Sequence, residues 1–183
     1  IYLKDIKRGG VLMTQFKFDP AHSNVEFSIK HLAIANVKGR FNDFDADIQG
    51  ELNDLSTLKG QFTIQINSID TRIKDRDNHL LSSDFFDAEQ YPEMTFEIKE
   101  VSEDKVTGDV TLTGETHEET FDLHYEGISK NPMNDAQKAG FVINGTLDRD
   151  KYGITFNQQL ETGGLLLGKN VQFELSAEFE VQE

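Results

Sequence analysis

The side chains whose types and phase could do chemistry are a few histidines and arginines set among apolar positions. His31 shares the odd phase of Val25, Phe27 and Ile29, so it is expected to face inward or cap a strand end. His79 stands three residues after Arg76 and two after Asp77, in a segment without strand alternation. Arg149 is in phase with Phe141, Ile143 and Leu147, which sends its guanidinium toward the interior as well. A buried charge needs partners. Two chemistries are therefore open for His31, Arg76, His79 and Arg149. They satisfy one another and lock a lid to the body, or they receive a polar or phosphorylated head group at one end of a pocket. His22, His117 and His124 fall in turns or on the wet phase and read as surface residues.

Other matches to functional motifs fail on their context. The run GGLLLGK at 163–169 resembles a phosphate-binding loop, but Asn170 and a strand pattern follow where Ser or Thr and a helix are needed. Asp43, Asp45 and Asp47 begin like a calcium loop, yet Ile48 stands where Gly is required. A His–Asp–His metal site has no tight ligand spacing behind it. There is no Cys, which excludes disulfides, thiolate metal sites and cysteine nucleophiles. No cofactor and no metal are expected.

The elements that must position these residues are strands. From 171 to 181 the odd positions are Val171, Phe173, Leu175, Ala177, Phe179 and Val181, alternating with Gln, Glu and Ser, which gives one dry side and one wet side. The pattern recurs through Phe62–Ile66, Met94–Ile98, Val106–Leu112 and Phe121–Tyr125. The phase slips from odd at Phe41 to even at Phe44, which predicts a bulge near Asn42–Asp43. Eight or nine strands with one apolar face throughout predict an all-β fold, either a closed antiparallel barrel or a sandwich, and the number of strands favours the barrel. Two segments depart from it: Thr71–Ala88, a loop with a short helical lid that sets Leu81 and Phe85 four apart, and Lys151–Lys169, a long excursion before the last strand. Phe is the dominant aromatic, with 14 Phe against no Trp, so most Phe must be barrel core. Phe85, Phe86 and Phe156 lie outside the regular strands, where they can line the mouth of a cavity.

The formal net charge is −15, and residues 1–12 carry +2 of their own. That balance argues against nucleic-acid binding and against simple attachment to an anionic membrane. No apolar stretch is long enough to span a bilayer, so no stable membrane insertion is expected. Met13 followed by TQFKF reads as a start, which makes residues 1–12 an extension and 13–183 one barrel domain. The opening residues lack the apolar core of a secretory signal, and the expected location is the cytoplasm.

The segments FDPAHSNVEFSIKHL, VKGRF, IDTRIKDRDNHLLSSDFFDAEQYPEMTF, VTGDVTLTGETHEETFDL and LDRDKYGI, with the closing V-x-F strand, together resemble the YceI-like family of polyisoprenoid-binding proteins over roughly residues 14–183. The resemblance implies an extended eight-stranded antiparallel lipocalin-like barrel with an elongated apolar pocket, an isoprenoid or other long-chain amphiphilic ligand, and a homodimer. Many relatives are exported to the periplasm, and this sequence differs from them in showing no signal. The apolar lining expected is Phe27, Ile29, Phe41, Phe85, Phe86, Phe96, Ile98, Phe156 and Phe173, with His31, Arg76, His79 and Arg149 at a polar end. Two other functions compete with lipid carriage. One is an enzyme using His31, His79 or Asp77 as acid–base groups on a lipid-like substrate. The other is a stress or interaction protein with a filled barrel and an acidic face for partners.

Overall fold

Alternation of apolar and polar side chains can close on itself only if every strand finds two neighbours, and here the ladder does close. The computed structural model describes residues 7–8, 11–12 and 14–182. Met13 and most of the expected extension lie outside the described residues; within it β1 (Lys7–Arg8) pairs antiparallel with β2 (Val11–Leu12). The main sheet is built from β3 (Thr14–His31), β4 (Ala35–Phe41), β5 (Phe44–Glu51), β6 (Asp54–Gln65), β7 (Ile69–Asp70), β8 (Glu93–Val101), β9 (Lys105–Leu112), β10 (Glu115–Lys130), β11 (Gln137–Asp148) and β12 (Leu167–Val181). Antiparallel pairing runs β12–β11–β10–β9–β8–β6–β5–β3, and β12 pairs again with β3. The result is a closed eight-stave antiparallel barrel with one short helix, α1 (Lys74–Leu81).

Two staves are broken rather than continuous. β4 and β5 form one stave: Val25–His31 of β3 pair with Phe41–Ala35, while Thr14–Phe16 pair with Gly50–Ile48. The break falls at Asn42–Asp43, where the phase slip predicted a bulge. Asn42 N–H donates to the Ser68 carbonyl (3.1 Å) and Gln65 N–H to the Asp43 carbonyl (2.9 Å), so the interruption is bridged to the next stave. That stave is β6 continued by β7, with a 3-10 turn at Ile66–Ser68 between them. Nearer the start of β6, where it passes β5, close approach needs glycine: Gly60 has φ +139°, and a Cβ on it would stand 1.9 Å from the Asp47 carbonyl oxygen.

β3 carries a second irregularity. Its inward residues are Phe16 and Phe18, then Val25, Phe27 and Ile29, because the register against β12 slips between Asp19 and Asn24. Ser23 Oγ holds the bulge, donating to the Asp19 carbonyl (2.7 Å) and accepting from Glu178 N–H (3.0 Å). Next to it Lys138 Nζ lies 2.9 Å from Asp19 and 3.8 Å from both Glu178 and Glu180. The hydrogen bond from this ammonium lowers the Asp19 carboxyl to about 2.

At this end the barrel is full. Phe18 meets Phe44 at 5.3 Å and Phe179 at 5.6 Å, Phe141 meets Phe179 at 6.1 Å, and Tyr125 stacks on Phe141 at 5.0 Å. Ala139 and Ala177 are buried in the same cluster, small enough to let the rings interdigitate. The hairpin turns β5–β6, β8–β9 and β10–β11 close this end. The opposite end carries the β3–β4 turn, α1 and the excursion at 153–166.

Candidate functional site: an apolar cavity at the lidded end

Toward the lidded end the inward side chains no longer fill the middle of the barrel and enclose a cavity of about 550 Å³. That volume lies within the range of small-molecule sites, roughly 300–1,000 Å³. Its strand walls are Phe27 and Ile29 from β3, Phe41 from β4, Ile64 from β6, Met94 and Phe96 from β8, Leu112 from β9, and Val171 and Phe173 from β12. Phe96 meets Phe121 at a tilt (5.4 Å) and Phe121 meets Phe173 edge-on (4.7 Å) along this wall. The polar side chains of the lining are His31, Thr71, Arg76, His79, Thr95, Arg149, Tyr152 and Gln158.

The cover is made of two segments that clasp each other. α1 begins after Ile73 and ends at Leu81, where Ser82 N–H donates to the His79 carbonyl. Phe85 therefore lies beyond the helix in a turn, not one helical turn above Leu81 as the spacing suggested. Phe86 reaches down to Phe41 (6.0 Å) on the barrel wall. Phe85 meets Phe156 of the excursion at 5.0 Å, and the His79 ring sits edge-on to both, at 5.0 Å and 5.2 Å. The His79 Nε2 is 2.8 Å from Asp84 Oδ2, which fixes the ring in this clasp. Gly39 makes room beneath: a Cβ there would stand 2.4 Å from the Phe27 ring and 2.9 Å from the Thr71 methyl.

The charged groups of the lining hold the cover down. Arg76 Nε donates to Thr71 Oγ1 (2.8 Å) and its Nη2 to the Thr71 carbonyl (2.6 Å). Asp77 Oδ1 accepts from Thr71 N–H (2.9 Å) and Oγ1 (2.5 Å), which ties α1 to the end of β7. Arg149 is buried and donates to three carbonyls, Gly168 (2.8 Å), Ile154 (2.8 Å) and Phe156 (2.9 Å), so it staples the excursion. Burial lowers the Arg149 pKa, opposed by the charges of Asp150 and Asp148. Tyr152 packs below with its hydroxyl on Glu119 (3.1 Å), and its pKa is raised by burial and by that carboxylate.

Of the residues singled out from sequence, Phe27, Ile29, Phe41, Phe85, Phe86, Phe96, Phe156, Phe173, His31, Arg76, His79 and Arg149 all meet around this one cavity. Ile98 does not. It faces inward in β8, two residues from Phe96 toward the packed end, and packs against the core. Leu80, Leu166, Thr71 and Tyr152 line the cavity without having been singled out. Leu166 lay in the glycine-rich run, and only the fold shows which side of such a run is covered. Asp19, His22 and Glu178 at the packed end are donors of metal-binding type, but the Lys138 ammonium already supplies the cation between them.

The comparisons with known proteins match this closed eight-stave barrel with its lidded apolar cavity. Residues 16–179 match the model of the YceI-like domain. A UPF0312 protein of Staphylococcus epidermidis is 57% identical over 169 residues, covering 92% of this chain and 99% of the relative. A UPF0312 protein of Staphylococcus aureus is 54% identical over 171 residues, covering 93% and 100%. Among solved structures, the Campylobacter jejuni YceI protein superposes with a TM-score of 0.71 at 31% identity, covering 84% of this chain and 90% of its own. A polyisoprenoid binding domain of Saccharophagus degradans, implicated in plant cell wall breakdown, shares the fold with a TM-score of 0.69 at 13% identity, covering 91% and 98%. The chain belongs to the YceI-like family.

Proposed function

We propose that this protein binds a long-chain apolar lipid of isoprenoid type in the lidded half of the barrel and acts as a carrier or buffer for it. The observation that carries this reading is the cavity itself: about 550 Å³ walled by apolar side chains, with its cationic groups committed to backbone and lid contacts. At about 30 Å³ for a water-sized group, the cavity takes on the order of 18 methylene-sized groups. That matches an isoprenoid stretch of about 15–20 carbons, and a longer chain must leave through the mouth. Burying one methylene contributes about 0.8 kcal/mol, so such a stretch supplies about 12–16 kcal/mol gross before ordering is subtracted. A charge-assisted contact adds only about 1.5–3 kcal/mol. The chain rather than the head group therefore carries the affinity. The polyisoprenoid binding domain of Saccharophagus degradans, which shares the fold, supports the same ligand class.

Binding rather than catalysis is part of the proposal. Asp77 is held by two hydrogen bonds from Thr71, and His79 is wedged between two phenylalanines, which suits a clasp better than a proton shuttle. The homodimer implied by the resemblance also belongs to it, and sedimentation reads it. Organic extraction of the protein purified from its native cell, followed by mass spectrometry, tests the function. One prenyl lipid per chain, unchanged on incubation, is expected. An empty protein, or a lipid converted on incubation, would overturn it.

A further inference from the structure

The whole-molecule charge of −15 hides a local reversal at the cavity mouth. Residues 27–42, which form the end of β3, its turn and β4, carry Lys30, Lys38 and Arg40 and no acid. The neighbouring stretch 70–76 adds Arg72, Lys74 and Arg76 against Asp70 and Asp75. Lys30, Lys38, Arg72 and Lys74 are all exposed.

The same rim exposes large apolar side chains. Ile34 is 84% exposed, Ile73 52% and Leu165 56%. These come from three different segments, yet the segments are stitched together around one opening. Leu32 N–H donates to the Leu166 carbonyl (2.9 Å), and Thr71 lies against Gly39 of β4. His31, Val37, Arg76 and Leu166, each within three residues of Ile34, Ile73 or Leu165, line the cavity.

The turn that presents Ile34 is also strained. Leu32 (φ +54°) and Ala33 (φ +60°) both occupy the left-handed region, with Ile34 N–H closing on the His31 carbonyl (3.2 Å). A turn with two such residues ordinarily takes Asn-Gly. An apolar tip in this conformation costs stability, and strain of this kind clusters at ligand clamps and binding sites.

We propose that this rim, with Ile34 and Ile73 at its crest and Lys30, Lys38 and Lys74 around them, docks on the surface of an anionic phospholipid bilayer. Apolar side chains enter the head-group layer while the cations meet lipid phosphates, a pairing that interfacial proteins use. Charge complementarity selects this occupant over a second copy, because two such rims would bring cations against cations. The acidic remainder of the barrel is repelled by the same surface, so the molecule approaches mouth first. Cargo then passes between bilayer and cavity without crossing water. The docking needs no cargo, but its purpose rests on the carrier reading.

Co-sedimentation of the full protein with vesicles tests it, using equal parts phosphatidylglycerol and phosphatidylcholine against phosphatidylcholine alone. Binding to the anionic vesicles only, weakened by salt, is expected. Lys38→Gln should weaken it about fivefold, and the triple Lys30→Gln, Lys38→Gln, Lys74→Gln change by on the order of a hundredfold. Ile34→Ser should weaken it by about tenfold. Leu32→Asn should weaken binding while raising the melting temperature, because Asn tolerates the left-handed turn. Met133→Ser, at the opposite end and 91% exposed, should change nothing. Equal binding to neutral vesicles, no binding at all, or an effect of Met133→Ser equal to that of Ile34→Ser would overturn the proposal. So would a vesicle-free dimer dissociated by Ile34→Ser, which would make the rim a contact between copies. Bound lipid extracted from each variant is measured separately: rim variants that keep their lipid and still bind anionic vesicles as well as the unaltered protein sink this inference and leave the carrier reading standing.

Discussion

The two ends of this barrel are made by the same alternation and the same residue type, yet one is solid and the other hollow. At the packed end Phe16, Phe18, Phe44, Phe141 and Phe179 come from four staves and fill the interior with ring contacts. At the lidded end Phe27, Phe41, Phe96 and Phe173 line a wall, and the rings that approach from across the opening belong to the cover. Period-two alternation specifies which face is dry. Whether the dry space is filled depends on how residues at equal depth combine around the staves, and here a cover stands in for a filling.

The contrast predicts different responses to the same kind of change. Phe179→Ala at the packed end should destabilise the fold by about 3–5 kcal/mol, read by urea denaturation, because the ring partners Phe16, Phe18 and Phe141 on the two flanking staves lose contact together. The same truncation of Phe173 should be milder, since its ring already borders open space. A destabilisation as large at Phe173 would mean that the cavity end is packed too. Arg149→Met should be next, about 3 kcal/mol, because three carbonyls of the staple lose a charged donor. It should also loosen the excursion, visible as faster amide exchange at 153–166.

Ile29→Trp inverts the order. It fills the cavity, so bound lipid should fall to a trace while stability holds within about 1–3 kcal/mol. Arg76→Ala should lower lipid retention severalfold without abolishing it, since one polar contact supports a long apolar body. If Arg76→Ala lost more lipid than Ile29→Trp, the head group and not the chain would be the anchor.

The smallest expected effect is the pH response of the packed end. The Asp19 carboxyl is held at about 2 by the Lys138 ammonium, below its unfolded value near 3.8. A depressed carboxylate contributes stability that is complete above the unfolded value and is lost as pH falls through the folded one. The loss therefore lies between about pH 4 and pH 2 and amounts to about 1–2 kcal/mol after solvent screening. Asp19→Asn should flatten that part of the acid-stability curve and leave lipid retention unchanged.

Most of the fold was legible because β6, β9, β11 and β12 keep a constant phase along their inward residues, and β8 slips only near its end, between Ile98 and Glu100. The Asn42–Asp43 break was legible for the same reason, as a visible change of phase. Phe16 and Phe18 escaped, because the bulge at Asp19–Asn24 puts them out of phase with Val25. α1 offers little periodicity to read: its sequence KDRDNHLL is polar until its last turn, and contacts from Thr71 and Phe86 position it. The carbonyl partners of Arg149 are backbone atoms, which carry no trace in residue type. Ile98 shows the remaining limit. Phase says that a side chain points inward but not how deep along the barrel it sits, and depth separates lining from core.

The most direct test of the account is whether ligand stabilises the protein through the hollow end alone. Delipidated protein would be melted with geranylgeraniol at about a hundredfold excess over its Kd, which adds about 2.7 kcal/mol to the folded state. For a chain of this size the melting temperature should rise by about 5–11 °C. The rise should persist in Phe179→Ala and vanish in Ile29→Trp. No rise in the unaltered protein, or an equal rise in Ile29→Trp, would contradict a lipid seated in this cavity.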